Sequence, residues 1–197
     1  LKKHTIGATL SDARDNRNLL DKSKIHLGFT KEEEKLGREY LKKFGLSEKD
    51  KFVCLIVRDA TYLNTKFPYQ DWSYWNYRDF DVDNFMLTNE ELVKRGYFVF
   101  RMGKYVSKPI KSKNPKIIDY ANSDLSSDFM DIYLAAKCTC FISASSGFYG
   151  VPYVFRKPLV TIVAPLMDMI TTRENILVLS KHYFSKKKKR NLTLSEI

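Results

Sequence analysis

The chain has 197 residues, of which 44% are hydrophobic, and this is enough apolar material for one domain with a sizeable core. No apolar run approaches the roughly 20 residues that cross a bilayer, and no signal-peptide core follows the charged start. We therefore expect a soluble protein without a transmembrane segment. The three cysteines form no CxxC pair, which predicts buried thiols in a reducing compartment instead of a disulfide framework.

The formal net charge of +11 favours anionic partners, such as nucleic acids, membranes or phosphate-bearing small molecules. Much of the surplus lies at 104–116 and 186–190, in segments predicted to be loops or termini. No helix-turn-helix, zinc-finger or RNP pattern accompanies these segments. A solvated surface is therefore favoured over a nucleic-acid interface.

The chain begins with residues 1–29, which are highly charged and predict an irregular lead-in or a link from another domain. Thr30 and Glu33 then form a capping box. Apolar residues at helical spacing follow it and predict a helix over 31–44, which Gly45 can close.

From residue 52 onward, strand and helix patterns alternate. An uninterrupted apolar run at 52–57, rich in β-branched residues, predicts a strand buried on both faces, which is typical of a parallel sheet. Further strands are predicted at 97–100, 116–119, 139–144, 159–163 and 176–179, and helices at 84–95, from a cap at Ser126 or Ser127 to Lys137, and at 151–155. The alternation indicates an α/β, Rossmann-like fold with a mostly parallel sheet and helices on both faces. Residues 192–197 resemble the first turn of a helix, so we expect 30–197 to be one domain of a longer chain.

Polar residues follow four of the predicted strands. In an open parallel sheet, ligands bind in the crevice outside the carboxyl ends of the strands. Arginine offers paired N–H donors to phosphate, and a Ser-Ser-Gly turn that opens a helix adds hydroxyls and backbone N–H groups. The crevice therefore predicts a diphosphate site without a metal, built from Arg58-Asp59, Arg101-Met102-Gly103, Asp119-Tyr120 and Ser145-Ser146-Gly147.

Each of these clusters also has a purely structural interpretation. Arg58 could end its strand in an ion pair with Asp59 or Asp131, and the serines could form an ordinary helix cap. Taken singly, the structural and functional interpretations are equally supported. Only the convergence of the clusters on one edge of the sheet favours a binding site.

The connection from Asp59 to Asp83 is unusually long and carries eight aromatic residues. Connections of this length are usually functional or disordered, and the aromatic content argues against disorder. The aromatic rings either stack on a sugar or base or pack the loop against the domain or a partner domain, and packing is slightly favoured. Arg78 lies in this loop, where it could reach the phosphates.

Other function classes lack their sequence patterns. The chain contains neither G-x-G-x-x-G nor G-x-x-x-x-G-K-[ST], and its three histidines are scattered. Ser145 and Ser146 lie outside any G-x-S-x-G elbow. An ordinary NAD enzyme, a P-loop NTPase, a histidine metal site and a serine hydrolase are therefore disfavoured, and no cofactor is expected.

Five short segments, in order, resemble a family of bacterial glycosyltransferases that is distantly similar to the fucosyltransferase type of GT-B enzymes. They read VCLIVRD at 53–59, RMG at 101–103, IDYANS at 118–123, SDFMD at 127–131 and FISASSG at 141–147. The resemblance spans about residue 30 to the end. Isoleucine at 56 and aspartate at 59 depart from the fucosyltransferase pattern His-Val-Arg-Arg, so GDP-fucose is not assumed as the donor.

The resemblance implies the donor-binding half of a metal-independent, GT-B-like enzyme that has an N-terminal partner domain. It also implies a role in glycan or cell-surface polysaccharide synthesis, in the cytoplasm or peripheral to the inner membrane. Asp59 is the candidate general base within the chain, and the partner domain is the alternative source. With the crevice argument, the resemblance gives these substrate-binding candidates: Arg58, Arg78, Arg101, Gly103, Ser123, Asp128, Asp131, Ser145, Ser146 and Gly147.

Transfer of a sugar from a nucleotide-sugar donor to an acceptor hydroxyl, on a glycan or another molecule, is the function that these features favour. Two other classes stay open. One is a nucleotide- or anion-binding module without transfer. The other, less favoured, is a nucleic-acid-binding protein that uses its basic surface.

Overall fold

Six parallel strands form the central sheet in a computed structural model that describes residues 19–144, 146–163 and 173–197. Its strands are β1 (Lys51–Val57), β2 (Tyr97–Met102), β3 (Ile117–Ile118), β4 (Cys140–Ala144), β5 (Leu159–Val163) and β6 (Ile176–Ser180), and a separate antiparallel hairpin of β7 (Phe184–Ser185) and β8 (Arg190–Asn191) follows them. Every strand pair in the sheet is parallel, and the order is β3-β2-β1-β4-β5-β6. The predicted α/β, Rossmann-like fold is confirmed.

The strand order places a crevice beside β1. The chain adds β2 and β3 on one side of β1, then crosses back and adds β4, β5 and β6 on the other side. Such a reversal is the point at which open α/β sheets bind ligands. β1 and β4 stay paired up to Val57 and Ala144, and the Arg58 amide donates to the Ala144 carbonyl at 3.1 Å. The segments that follow these two strands therefore diverge from one point.

Helices cover both faces of the sheet. On one face, α2 (Lys31–Lys43) and α5 (Asp128–Lys137) pack on a core that includes Phe100. On the other face, α4 (Met86–Lys94) packs on the opposite side chains of β1 and β2. The shorter helices are α1 (Leu19–Lys22), α3 (Thr61–Lys66) and α6 (Gly150–Val154). None of the described helices is both long and apolar enough to cross a membrane.

Local sequence signals account well for the helix ends. The capping box forms as predicted, since the Thr30 hydroxyl accepts from the Glu33 amide and the Glu33 carboxylate accepts from the Thr30 amide. Gly45 follows the helix with φ +85°, a conformation that glycine adopts without strain. Helix α4 starts two residues later than predicted because a 3₁₀ turn, Val82–Phe85, precedes it.

Two predicted irregular segments contain regular structure. Residues 1–18 lie outside the described residues, but the end of the predicted lead-in forms α1, and the Leu20 carbonyl accepts from Arg156 Nε at 2.9 Å. The Asp21 carboxylate accepts from the buried Arg173 at 3.1 Å, which ties α1 to the domain. The long connection after β1 likewise contains α3 and a 3₁₀ turn, Ser73–Arg78. Sequence patterning missed both because these short helices are held by contacts distant in sequence.

Close packing between α2 and α5 depends on Gly37. A Cβ at this position would lie 2.2 Å from the Tyr133 ring, which is held by a 3.2 Å hydrogen bond to Glu34 and by stacking on Phe129. We expect Gly37→Ala to lower the free energy of unfolding by about 1–2 kcal/mol, although alanine favours a helix. Urea denaturation measures this effect. Gly28→Ala, which meets no atom within 4 Å, serves as the control, and equal stabilities of the two variants would contradict the packing.

Candidate donor-binding cavity

A cavity of about 530 Å³ opens at the carboxyl ends of β1, β2 and β4. This volume lies within the range of small-molecule sites. The predicted residues that line it come from the segments after all three strands, the aromatic loop and α5, and they are Arg58, Asp59, Arg78, Gly103, Asp131, Ser146 and Gly147. Residues from distant parts of the sequence thus meet at the predicted crevice.

The Arg58 side chain is 11% exposed, and only one of its two terminal nitrogens has a hydrogen-bond partner among the described residues. Its Nη1 forms an ion pair with Asp79 and also donates to the Trp75 carbonyl at 3.2 Å. Its Nη2 is buried and has no hydrogen-bond partner in the described structure. An unsatisfied buried N–H on a cation costs free energy that a phosphate oxygen would recover.

Further positive charge surrounds this guanidinium group. Arg78 lines the cavity and stacks its guanidinium carbon 4.8 Å from the centroid of the Trp75 ring. Burial first, and the charge of Arg78 second, lower the pKa of Arg58, although an arginine stays charged at neutral pH. Lys104 lines the cavity as well. These cations can donate hydrogen bonds to an anionic ligand, but Arg58 is paired with Asp79 and Lys104 with Asp128, and the carboxylates of Asp59 and Asp131 line the same cavity.

Asp59 lies in the cavity wall with both carboxylate oxygens hydrogen-bonded. One oxygen accepts from the Thr61 amide at 2.8 Å, and the other accepts from the amide and hydroxyl of Ser107, both at 3.0 Å. Burial alone would raise the pKa of Asp59, but these hydrogen bonds outweigh it and lower the pKa. An aspartate of this kind holds loops together and is a poor acceptor for a proton, which argues against the predicted general-base role.

Asp131 differs from Asp59 in these respects. One of its oxygens accepts from the Tyr120 hydroxyl at 2.8 Å, and the other has no hydrogen bond within the described part of the chain. Burial raises the pKa of Asp131, and the hydrogen bond from Tyr120 and the charge of Lys104 reduce that effect only in part. Asp131 can therefore accept a hydrogen bond or a proton from a ligand.

The segment after β4 contributes less than its sequence predicts. Ser146 and Gly147 line the cavity, but the Ser146 hydroxyl accepts from the Phe148 amide at 3.3 Å and caps its own 3₁₀ turn, Gly147–Tyr149. The helix that follows, α6, has 5 residues, so its dipole is small. Ser145 lies outside the described residues. Most of the positive charge at the cavity therefore comes from side chains.

Three predicted site residues do not line the cavity. Side chains alternate along β2, so Met102 reaches the cavity, while the buried Arg101 turns to the opposite face and pairs with Asp119 at 3.0 Å. The Ser123 hydroxyl accepts from the Leu125 amide at 3.1 Å. Asp128 is 90% exposed and binds Lys104 at 2.7 Å, so it touches the cavity wall only through that lysine.

The cavity also contains Lys104, Tyr105 and Phe148, which the sequence did not predict as site residues, and one ring of the aromatic loop, for which stacking on a ligand was one interpretation. Tyr62 and Tyr105 line the cavity with ring centroids 6.0 Å apart, and Phe148 lines it from the segment after β4. Tyr62 belongs to the aromatic loop, whose excess of rings was a usable signal. Lys104 and Tyr105 belong to the basic segment predicted to be solvated surface, and nothing in their sequence context marks them. The ion-pair partner of Arg58 proves to be Asp79, which lies 21 residues away, and neither Asp59 nor Asp131.

Comparison with known proteins identifies a fold and no family. No protein-family model and no curated protein matches the chain. A solved glycosyl transferase family 9 protein from Veillonella parvula is similar, with a TM-score of 0.54 and 15% identity, over 82% of this chain and 44% of that one. The ADP-heptose LPS heptosyltransferase II of E. coli has a TM-score of 0.45 and 16% identity, over 78% of this chain and 44% of its own. The chain thus has a glycosyltransferase-like fold and spans less than half the length of these proteins.

The two cavity aspartates should respond oppositely to removal of their charge. Because the pKa of Asp59 is lowered in the folded state, its contribution to stability is present above about pH 4 and is lost as the pH falls through the folded-state pKa. We expect Asp59→Asn to lower the free energy of unfolding by about 1–2 kcal/mol at pH 7 and by much less near pH 3. Denaturation curves at both pH values measure this loss.

Asp131 provides the matched variant. Its raised pKa means that ionisation at neutral pH destabilises the fold, and that this cost disappears as the pH falls below its folded-state pKa. Asp131→Asn, whose amide oxygen can still accept from Tyr120, should therefore be more stable than the parent at pH 7 and similar to it near pH 4. If Asp131→Asn is less stable than the parent at pH 7, this would contradict the conclusion that the second carboxylate oxygen of Asp131 has no hydrogen bond.

Proposed function

We propose that this chain is the donor-binding domain of a glycosyltransferase that transfers a sugar from a nucleotide-sugar to an acceptor hydroxyl. The observation that carries the proposal is Arg58, a buried arginine at the end of the central strand with one nitrogen unsatisfied. It lies where open parallel sheets bind ligands, and Arg78 lines the same cavity. A diphosphate oxygen satisfies the free nitrogen of Arg58 better than a neutral ligand does.

The cavity also fits the nucleoside part of such a donor. Tyr62, Tyr105 and Phe148 offer ring faces on which a base can stack, and Asp131 offers a free carboxylate oxygen to a ribose hydroxyl or a base N–H. The proposed contacts thus cover phosphate, base and ribose.

In the proposed reaction, the bond between the anomeric carbon and the diphosphate oxygen breaks, and a bond from the acceptor oxygen to that carbon forms. Negative charge grows on the departing diphosphate, and Arg58 and Arg78 stabilise it in a partly buried site. The acceptor loses its proton to a general base. Both oxygens of Asp59 are hydrogen-bonded within the domain and Asp131 is assigned to the nucleoside, so we propose that the partner domain supplies this base.

The fold shared with the Veillonella parvula glycosyl transferase supports the same reaction class. Since that protein is more than twice as long as the matched region, we propose that a second, N-terminal domain completes the cleft. A role in glycan or cell-surface polysaccharide synthesis, at the cytoplasmic side of a membrane, belongs to the same proposal.

Two variants of one ion pair test the phosphate assignment. Arg58→Gln removes the proposed phosphate ligand, and Asp79→Asn removes the carboxylate that competes with phosphate for it. Both variants lose the same ion pair, and Asp79→Asn should lose more stability because it leaves the buried guanidinium without its carboxylate. Affinity for UDP, GDP, ADP or pyrophosphate, measured by calorimetry, should fall roughly 10- to 100-fold in Arg58→Gln and stay equal or rise in Asp79→Asn.

Equal losses of affinity in both variants would show that only the integrity of the cavity matters. If Arg58→Gln binds these ligands as tightly as the parent does, their phosphates do not bind at this edge of the sheet. If the parent binds none of these ligands but binds polynucleotide in a salt-sensitive manner, the nucleic-acid alternative replaces the proposal.

A further inference from the structure

The β7–β8 hairpin carries the densest run of basic residues in the chain at its tip. Residues 175–197 contain six lysines and arginines and one acidic residue, Glu196. The tip itself, residues 186–189, consists of four exposed lysines. The Ser185 hydroxyl accepts from the Lys188 amide at 3.0 Å, and Lys189 has φ +50°, so a defined turn presents them.

Most of this charge is not neutralised locally. Glu196 binds Lys188 at 2.6 Å and the Arg190 guanidinium at 2.7 Å, and these contacts lower the pKa of Glu196 far below its usual value. Lys186, Lys187 and Lys189 make no ion pair within the described residues. Three exposed lysines without an ion pair therefore lie within one narrow turn.

The pairing of the two strands separates the acidic residue from an exposed aromatic ring. Phe184 lies opposite Asn191, and Ser185 lies opposite Arg190. Adjacent residues of a strand face opposite sides, so Arg190, with its partner Glu196, and Phe184 lie on different faces. Phe184 is 62% exposed. The exposed Phe184 ring thus lies next to the lysine turn in sequence, on the face of the hairpin opposite to Arg190 and Glu196.

We propose that this hairpin docks the domain onto a membrane surface rich in anionic lipids, with the three free lysines at the headgroups and Phe184 in the interface. Clustered lysines attract anionic headgroups, and a neighbouring aromatic ring adds apolar burial at the boundary with the acyl chains. A nucleic acid fits less well, because strong binding to it uses many phosphate contacts spread along a groove, and this tip offers three free charges at one turn.

The hairpin is connected to the rim of the cavity. Lys181 lies three residues before Phe184, and its Nζ donates to the carbonyl oxygens of Tyr77 at 2.8 Å and Asp79 at 3.0 Å. These are the neighbours of Arg78 in the loop that binds Arg58. A docked hairpin therefore holds the cavity close to the bilayer. The docking itself does not depend on the reaction proposed above.

Vesicle sedimentation tests the proposal. The chain should bind phosphatidylcholine vesicles that contain roughly 30% phosphatidylglycerol much more tightly than pure phosphatidylcholine vesicles, and less tightly at about 0.3 M than at about 0.05 M NaCl. Replacing Lys186, Lys187 and Lys189 with glutamine should weaken binding at least tenfold. Phe184→Ser should weaken it several-fold and leave the dependence on salt unchanged.

The control is a triple glutamine variant of Lys31, Lys35 and Lys42, three exposed lysines of α2, which removes the same charge. It should retain vesicle binding within about twofold, since its lysines do not cluster at one turn. Equal losses of vesicle binding in the two triple variants would show that only the net charge of the protein matters. This result would overturn the proposal. Equal binding to both kinds of vesicle, or binding of the hairpin to polyuridylate without vesicle binding, would overturn it as well. Circular dichroism confirms that each variant is folded.

Discussion

The buried guanidinium of Arg58 at the end of β1 constrains the segments around it. A cation at this depth requires partners, and it obtains them from Asp79 and from the Trp75 carbonyl. The chain after β1 is thereby folded back over the strand end, where the Phe80 amide also donates to the Arg58 carbonyl at 3.0 Å. This return of the chain supplies one wall of the cavity and positions Arg78. One interaction thus connects the sheet, the aromatic loop and the candidate phosphate site.

Cationic and anionic side chains both line the cavity, and its two aspartates differ in how many hydrogen bonds they accept from the protein. Asp59 is fully hydrogen-bonded by Thr61 and Ser107 and joins two loops, so its charge is compensated inside the protein. Asp131 is compensated only in part and faces the cavity. In the basic segment after β2, Lys108 is bound by Asp81 at 2.6 Å and Asp83 at 2.7 Å, and Lys104, which lines the cavity, is bound by the exposed Asp128 at 2.7 Å.

The sheet and the position of its ligand-binding edge could be predicted because the sequence patterns that indicate them are local. The apolar run of β1 and the capping box before α2 need no knowledge of distant residues, and sheet geometry then places Arg58 at the ligand edge. Which face a strand-end residue takes is harder to predict, because a shift of one residue reverses it, and Arg101 was misplaced for this reason. The partnership of Arg58 with Asp79 depends on how the loop folds back, and no sequence pattern encodes that.

We propose that a diphosphate binds at the carboxyl ends of β1 and β4, on Arg58. A crystal structure with a bound nucleoside diphosphate tests it most directly. We expect phosphate oxygens within hydrogen-bond distance of Arg58 Nη2, with the base near Tyr62 or Tyr105. Phosphates bound elsewhere, with Arg58 still held only by Asp79 and the Trp75 carbonyl, would contradict it.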